Sequence, residues 1–346
     1  MLFFLRDQAL VRLLSDCRMR VAHAQSNADL LEVLDRLEVF PGGLEFDHVQ
    51  SIALLVLAFA SLAAALLMDG MGGMFWVFLA LCFFSYRVSK RVSGSLTDLA
   101  ASIARKCLMF CHELSEFDTN AVWHLKRLDN EFTDYQRGNE RERRRIVDSL
   151  QGFSQGPRHS LAYEYHHLQY VNSRRERDAS GDSRAVYETY NRYSLVLDFP
   201  WVRDIAVRSS PLEVPLAGQP FKTDCADFNQ TFVLRGNDQA SCEHFATPAT
   251  LSLLMELSRH LDRVNLEFSS QGRLCLSFDN EDIMVHADLG SLNDLSAFRE
   301  RIKAGIELPR LYPLLGLMHR LAELHEGHVP AAFPEVSEIG ELIKEA

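Results

Sequence analysis

Apolar side chains recur at helical spacing along the first forty residues. Leu30, Leu31, Val33, Leu34 and Leu37 line one side of Ala28 to Phe40, Asn27 is placed as an N-cap, and Leu2 to Ala24 repeats the pattern. Pro41, Gly42 and Gly43 close the second stretch. Both read as amphipathic helices that need a partner surface: the protein's own cytoplasmic part, a membrane surface, or a second copy.

From Ile52 the periodicity disappears. IALLVLAFASLAAALLM, Ile52 to Met68, contains Ser61 as its single polar side chain, and a helix apolar all round is either buried or in lipid. Ser51 to Tyr86 as one helix would measure about 54 Å, nearly twice the roughly 30 Å hydrocarbon core. A break at Asp69 to Gly73, with glycines at 70, 72 and 73, divides it into two shorter spans. The element expected over 49–90 is therefore a transmembrane helical hairpin, with a buried pair in a soluble core or a hairpin dipping into one leaflet as alternatives. Trp76 then sits at the far interface, and Tyr86, Arg87, Lys90 and Arg91 form an aromatic and basic border at the near one. The loop between the spans has no Lys or Arg, so the positive-inside rule places both termini in the cytoplasm.

Beyond the hairpin, Ser95 to Gln151 is poor in Gly and Pro and carries Leu99, Ile103, Leu108, Leu114, Leu125 and Leu128 near helical spacing. It reads as a long helical connector interrupted near Phe117 to Asn120. RGNERERRRI, Arg137 to Ile146, reads as the solvated face of that helix, with contact to anionic lipid or an acidic partner as the alternative. From Ser160 the texture changes. LAYEYHHLQYVN and RAVYETYNRYSLVLDF flank the turn-prone ERDASGDS and read as a strand hairpin, followed by short strands in WVRDIAV, QTFVLRG, VNLEFSS, RLCLSF and DIMVHA. Helices are expected over Asp238–Phe245, Pro248–Arg263, Asp294–Ala304 and Pro309–Glu326.

The expected fold class is α+β. N-terminal cytoplasmic helices (1–48) precede the membrane hairpin (49–90), a helical stalk (91–158), a cytoplasmic mixed domain with a mainly antiparallel sheet (159–330) and a tail (331–346).

Charge narrows the set of partners. The net charge of -11 is concentrated in Asp178 to Ala346, whereas the preceding segments cancel one another, so phosphate backbones are repelled and nucleic acid is excluded as a partner. Seven scattered cysteines without a CxxC pair read as reduced thiols. The start of the chain lacks the pattern of a cleaved signal peptide.

Asp227 to Leu257, DFNQTFVLRGNDQASCEHFATPATLSLLMEL, resembles a bacterial family, domain of unknown function 3137. The likeness rests on Phe228, Asn229 and Phe232 at a strand entry, Asp238 shortly after, and Thr247 with Pro248 at a helix start. Cys242 to Phe245 replaces a leucine-rich segment usual in that family, and the glycine expected near Tyr190 to Ser194 is missing. The resemblance implies a two-span inner-membrane protein with a cytoplasmic α+β domain, and supplies no catalytic residues. Phe228 and Phe232, four apart, would share one face of a strand and pack in a core.

Candidate chemistry is sparse. Cys107 and Cys111 share a helix face beside His112 but lack a fourth ligand, and His166 and His167, adjacent on a strand, point to opposite faces. No GxSxG, HExxH, phosphate-loop or GxGxxG pattern occurs. Cys242, His244 and Asp238 could be drawn as a nucleophile with its base, a trio that arises readily by chance. No catalytic, cofactor-binding or metal residue is therefore assigned. The expectation is a non-enzymatic, multi-pass inner-membrane protein of the bacterial type, with the lipid bilayer and a second copy or another protein as partners. It would act as a self-associating scaffold or sensor; an enzyme or effector at the membrane surface is the alternative.

Overall fold

The computed structural model describes residues 2–41, 43–44, 49–67, 73–117, 120–177, 183–209, 218–284 and 288–328. Residues 69–72 of the turn expected at Asp69 to Gly73 and the tail 331–346 lie outside them, as do the side chains of Lys90 and Arg91. By its contacts the chain divides into two units, Met1–Glu113 with His286–Glu307, and Leu114–Val285 with Leu308–Ala346.

In the first unit, α1 (Leu2–His23), α2 (Asn27–Glu38), α3 (Val49–Leu67) and α4 (Gly73–Cys111) are joined by α9 (Leu295–Ala304). Ser26, not Asn27, caps α2, and Asp29 completes a reciprocal capping box with it. The helical spacing of Leu10, Leu14, Cys17 and Val21, of Leu30, Leu34 and Leu37, and of Leu99, Ile103 and Cys107 buries one stripe of each helix in a shared core with Phe298 and Ile302 of α9. The protein itself supplies the partner surface that α1 and α2 require.

The expected transmembrane hairpin is overturned, and with it the expected membrane-protein class and the multi-pass inner-membrane placement. Among the described residues no helix is long and apolar enough to cross a membrane. The second apolar run is the front of a single 39-residue helix that continues through Arg87, Lys90 and Arg91 to Cys111. The boundary expected at 90 thus falls inside α4.

The second unit is an α+β layer built on an eight-stranded sheet in which every neighbouring pair is antiparallel, in the order β1-β2-β3-β8-β7-β4-β6-β5. The strands are β1 (Arg145–Gln155), β2 (Ser160–Arg177), β3 (Ser183–Asp198), β4 (Ile205–Ser209), β5 (Gln219–Phe221), β6 (Phe232–Gly236), β7 (Asn265–Phe268) and β8 (Arg273–Phe278). Helices α5 (Ala121–Glu131), α6 (Ala226–Thr231), α7 (Gln239–Phe245), α8 (Pro248–His260) and α10 (Leu311–His325) complete it.

Two expectations fail here for tertiary reasons. The long helical connector stops at Cys111, resumes as α5, and gives way to a 3-10 turn at Thr133–Gln136 and then to β1, so RGNERERRRI is no helix face. Its arginines and glutamates favour helix locally, but only a 3-10 turn forms at Arg141–Arg143, and its last residues, Arg145 and Ile146, already pair with β2 at the start of β1. DIMVHA forms no strand over its described residues Asp282 to Met284: the preceding strand β8 is paired with β3 and β7, and these residues join neither open edge, β1 or β5. Ile283 and Met284 are buried all the same.

Candidate functional site

The β2 burial pattern changes phase at Tyr165/His166: Leu161, Tyr163 and Tyr165 face one way, His166, Leu168 and Tyr170 the other. On the first face, Phe245 of α7 meets Phe268 with ring centroids 5.4 Å apart, and His319 of α10 bonds Ser154 of β1 at 3.0 Å. On the second face the strand registers align a polar row. His166, Ser194, Ser277, Asn265 and Arg208 lie side by side across β2, β3, β8, β7 and β4. Alongside runs Glu164, Val196, Cys275, Glu267, Ala206 and Arg235.

Over this face lies the segment from α5 through the following turn. His124, Arg127, Leu128 and Glu131 recur at three- and four-residue spacing, so the face that α5 turns to the sheet is partly polar. His124 Nε2 stands 2.7 Å from His166 Nε2, and Arg127 donates to Glu164 Oε2 at 2.6 Å and to His124 Nδ1 at 3.4 Å. His166 Nδ1 is 2.9 Å from the Tyr135 hydroxyl, which is 2.6 Å from Ser194 Oγ. One proton arrangement avoids facing donors. His124 carries its proton on Nε2 and donates to His166 Nε2, His166 donates from Nδ1 to Tyr135, and Tyr135 donates to Ser194.

Burial, with Arg127 and Arg273 nearby, pushes the His124 pKa down to about 4; burial, then His124 and Arg127, pushes His166 well below the ordinary imidazole value. Burial raises the Tyr135 phenol in turn, so it remains a donor. Phe117 closes the cluster, its ring centroid 4.5 Å from that of His124. Among the described residues the group able to hold a metal is His124, Glu164 and His166, whose ligand atoms all lie within 4.8 Å of one another.

Next to this cluster, Asp134 is a buried hub. Its carboxylate accepts from Arg137 at 2.7 Å, from Arg192 Nε at 3.0 Å and from Asn265 at 2.9 Å, and Arg208 Nη2 stands 4.0 Å away. Burial alone would raise its pKa; the three guanidiniums overcome that and hold it well below the carboxylate range. Glu267 accepts from Arg208 and from the Thr133 backbone, yet its pKa is raised because burial, with Asp134 close by, outweighs Arg208. Beside it a cleft of about 210 Å³ is lined by Glu131, Thr133, Arg235, Asn237 and Ser269.

The family-like residues are not gathered into a site. Phe228 lies on α6, not on a strand, and its ring meets that of Phe232 at 5.2 Å where β6 begins; both are buried. Asn229 clasps Thr223, accepting from its N–H at 3.1 Å and donating to its carbonyl at 2.6 Å. Asp238 caps α7 through Ser241, and Thr247 caps α8 with Pro248 at its first turn. Each of these roles is local and structural. Cys107 and Cys111 lie 3.9 Å apart, and His112 Nε2 is engaged by the Ile306 carbonyl at 2.6 Å. His166 and His167 do diverge: His166 is buried, and His167 meets Asn191 on the other side.

Of the residues expected at a membrane border, Trp76, Tyr86 and Arg87 occupy an exposed surface of the helical hairpin. Trp76 is 71% and Tyr86 61% exposed, and the Arg87 guanidinium lies over the Phe83 ring at 5.7 Å. Around them Ile52, Leu55, Val56 and Phe59 of α3 and Leu79 and Phe83 of α4 are exposed as well.

No family model, curated protein or solved structure matches the chain. The likeness to domain of unknown function 3137 thus rests on the six residues that carry it.

Proposed function

We propose that the protein is a non-catalytic, self-associating binding protein whose oligomer forms through α3 and α4. The observation that carries this is the exposed apolar surface of that hairpin. Ile52, Leu55, Val56 and Phe59 form one helical stripe, and Trp76, Leu79, Phe83 and Tyr86 form another. Among the described residues, twelve large apolar side chains of the hairpin are between 40% and 71% exposed. At roughly 100 Å² each they amount to on the order of 1,000 Å², more than the largest patch of an ordinary monomer and enough for one side of a standard interface. Leu55, Val56 and Leu57 are exposed in succession, so the cover extends over more than one helix face and favours a helical bundle between copies.

The buried titratable groups support the non-catalytic part of the reading. Asp134 is committed to arginines, and burial raises the thiols of Cys17, Cys107 and Cys275, which weakens them as nucleophiles.

Light scattering and sedimentation of the full chain test the proposal. A dimer or larger assembly is expected without detergent, and paired Val56→Glu and Phe83→Glu substitutions should shift it to monomer with unchanged far-UV circular dichroism. A wild-type chain that is monomeric in buffer, or one that stays dispersed only under a coat of detergent, would overturn it, as would an oligomer indifferent to both substitutions.

A further inference from the structure

We propose that His124 Nε2, His166 Nε2 and Glu164 Oε2 form a three-ligand site for a d-block divalent cation of the zinc type, with the Arg127 guanidinium as its built-in competitor. The three atoms converge from two rigid elements. Glu164 and His166 are two apart on β2 and share a face, and His124 reaches down from α5 onto the same spot. Glu164 Oε2 is 3.6 Å from His166 Nε2, and the two imidazole nitrogens are 2.7 Å apart. Two nitrogens on a tetrahedral zinc ion stand about 3.4 Å from each other, so the imidazoles need to separate by well under an ångström. Two imidazoles and one carboxylate suit zinc and its neighbours, whereas calcium and magnesium take oxygen sets.

The surroundings match an oriented ligand set. His166 presents Nε2 because its Nδ1–H is held by Tyr135, itself held by Ser194, the outer-shell support that metal-bound histidines use. His124 and His166 are 4% and 0% exposed, while Glu164 at 20% leaves an open side from which water can supply the fourth ligand.

Arg127 opposes the ion twice. Its Nη2 occupies the Glu164 oxygen that a cation would take, and by donating to His124 Nδ1 it keeps the proton of that ring on Nε2, the atom that must coordinate. Binding therefore moves the His124 proton from Nε2 to Nδ1 and releases the guanidinium. Arg127 is 45% exposed and can turn to water, while Arg273, the other cation nearby, is held by Glu131 and stands 3.9 Å from Oε1 of Glu164, the oxygen the cation does not take. The proposal is independent of self-association through the hairpin, and either can fail alone.

The test is titration of the untagged, chelator-stripped full chain with zinc chloride by calorimetry and with cobalt chloride by visible absorption. One zinc per chain is expected, and cobalt should give the intense bands of a four-coordinate ion. Glu164→Gln and His124→Ala should each weaken binding at least tenfold, Arg127→Ala should strengthen it several-fold, and the exposed His260→Ala should leave it unchanged. Glu164 and Arg127 are partly exposed, so these two substitutions keep the result readable if His124→Ala perturbs the fold. Absence of stoichiometric zinc, octahedral cobalt spectra, or affinities indifferent to both Glu164→Gln and Arg127→Ala would overturn the site.

Discussion

Tyr135 stands between His166 and Ser194, its hydroxyl 2.9 Å from the imidazole Nδ1 and 2.6 Å from the serine Oγ, where the two residues face each other across the β2–β3 ladder. The contact ties the turn after α5 to the centre of the sheet. Tyr135→Phe keeps the ring and its packing but leaves a buried imidazole N–H without its acceptor. The expected loss is about 1–3 kcal/mol in urea unfolding, with an unchanged denaturant slope. No change in midpoint would show that water replaces the phenol.

Asp134→Asn removes the one carboxylate that Arg137, Arg192 and Arg208 share. Because these guanidiniums remain buried, the expected destabilisation is about 3–5 kcal/mol, whereas Asp282→Asn at the exposed pair with Arg310 should cost at most about 1 kcal/mol. Chemical denaturation of both variants separates the two cases; equal losses would contradict the hub.

Stability should fall as pH drops below neutral. In the unfolded chain imidazoles take protons near pH 6.5, while burial and Arg127 keep His124 neutral in the fold down to about 4, and burial, with His124 and Arg127, holds His166 neutral well below the ordinary imidazole value. The unfolded state thus binds more protons in this window, so stability declines from about pH 6.5 toward 4, by on the order of 1 kcal/mol per pH unit for each ring. Asp134, depressed in the fold, contributes stability above the ordinary carboxylate pKa that is lost as pH falls further. The same unfolding midpoint at about pH 7.5 and pH 5 would contradict this linkage.

Gly138 has φ of 83°, and a Cβ added there would sit 2.9 Å from the Val171 carbonyl oxygen, which also accepts from Glu140 N. Gly138→Ala should lower stability by about 1–3 kcal/mol through strain at the turn that presents Arg137 to Asp134. Thermal melting with an unchanged midpoint would refute it.

Thiol reactivity should divide the cysteines. Cys17, Cys107, Cys242 and Cys275 are buried, and burial raises the pKa of each. A disulfide reagent should modify Cys82, Cys111 and Cys225 first and the buried four only on unfolding. Rapid modification of all seven in native buffer would contradict the packing.

Parts of this fold were legible because their cause is local. The stripe Leu30–Leu34–Leu37, the helix start at Thr247 and Pro248 and the antiparallel pair β2–β3 depend on spacing and side-chain hydrogen bonds within a few residues. The site was less legible. His166 and Glu164 could be placed on a strand, but nothing in α5 announced that the helix face bearing His124 and Arg127 would turn inward, since a polar stripe ordinarily faces water.

By itself, the sequence determined an α+β chain with amphipathic helices at its start, an apolar helical pair, and a run of short strands. Tertiary structure alone decided that the expected connector helix would give way to β1, that Asp282 to Met284 would join no strand, and that α4 would run unbroken past its cations. It also placed polar residues from five strands in one row under Asp134 and Tyr135. Register is a relation between distant segments, and burying charge succeeds only where its partners arrive from elsewhere in the chain.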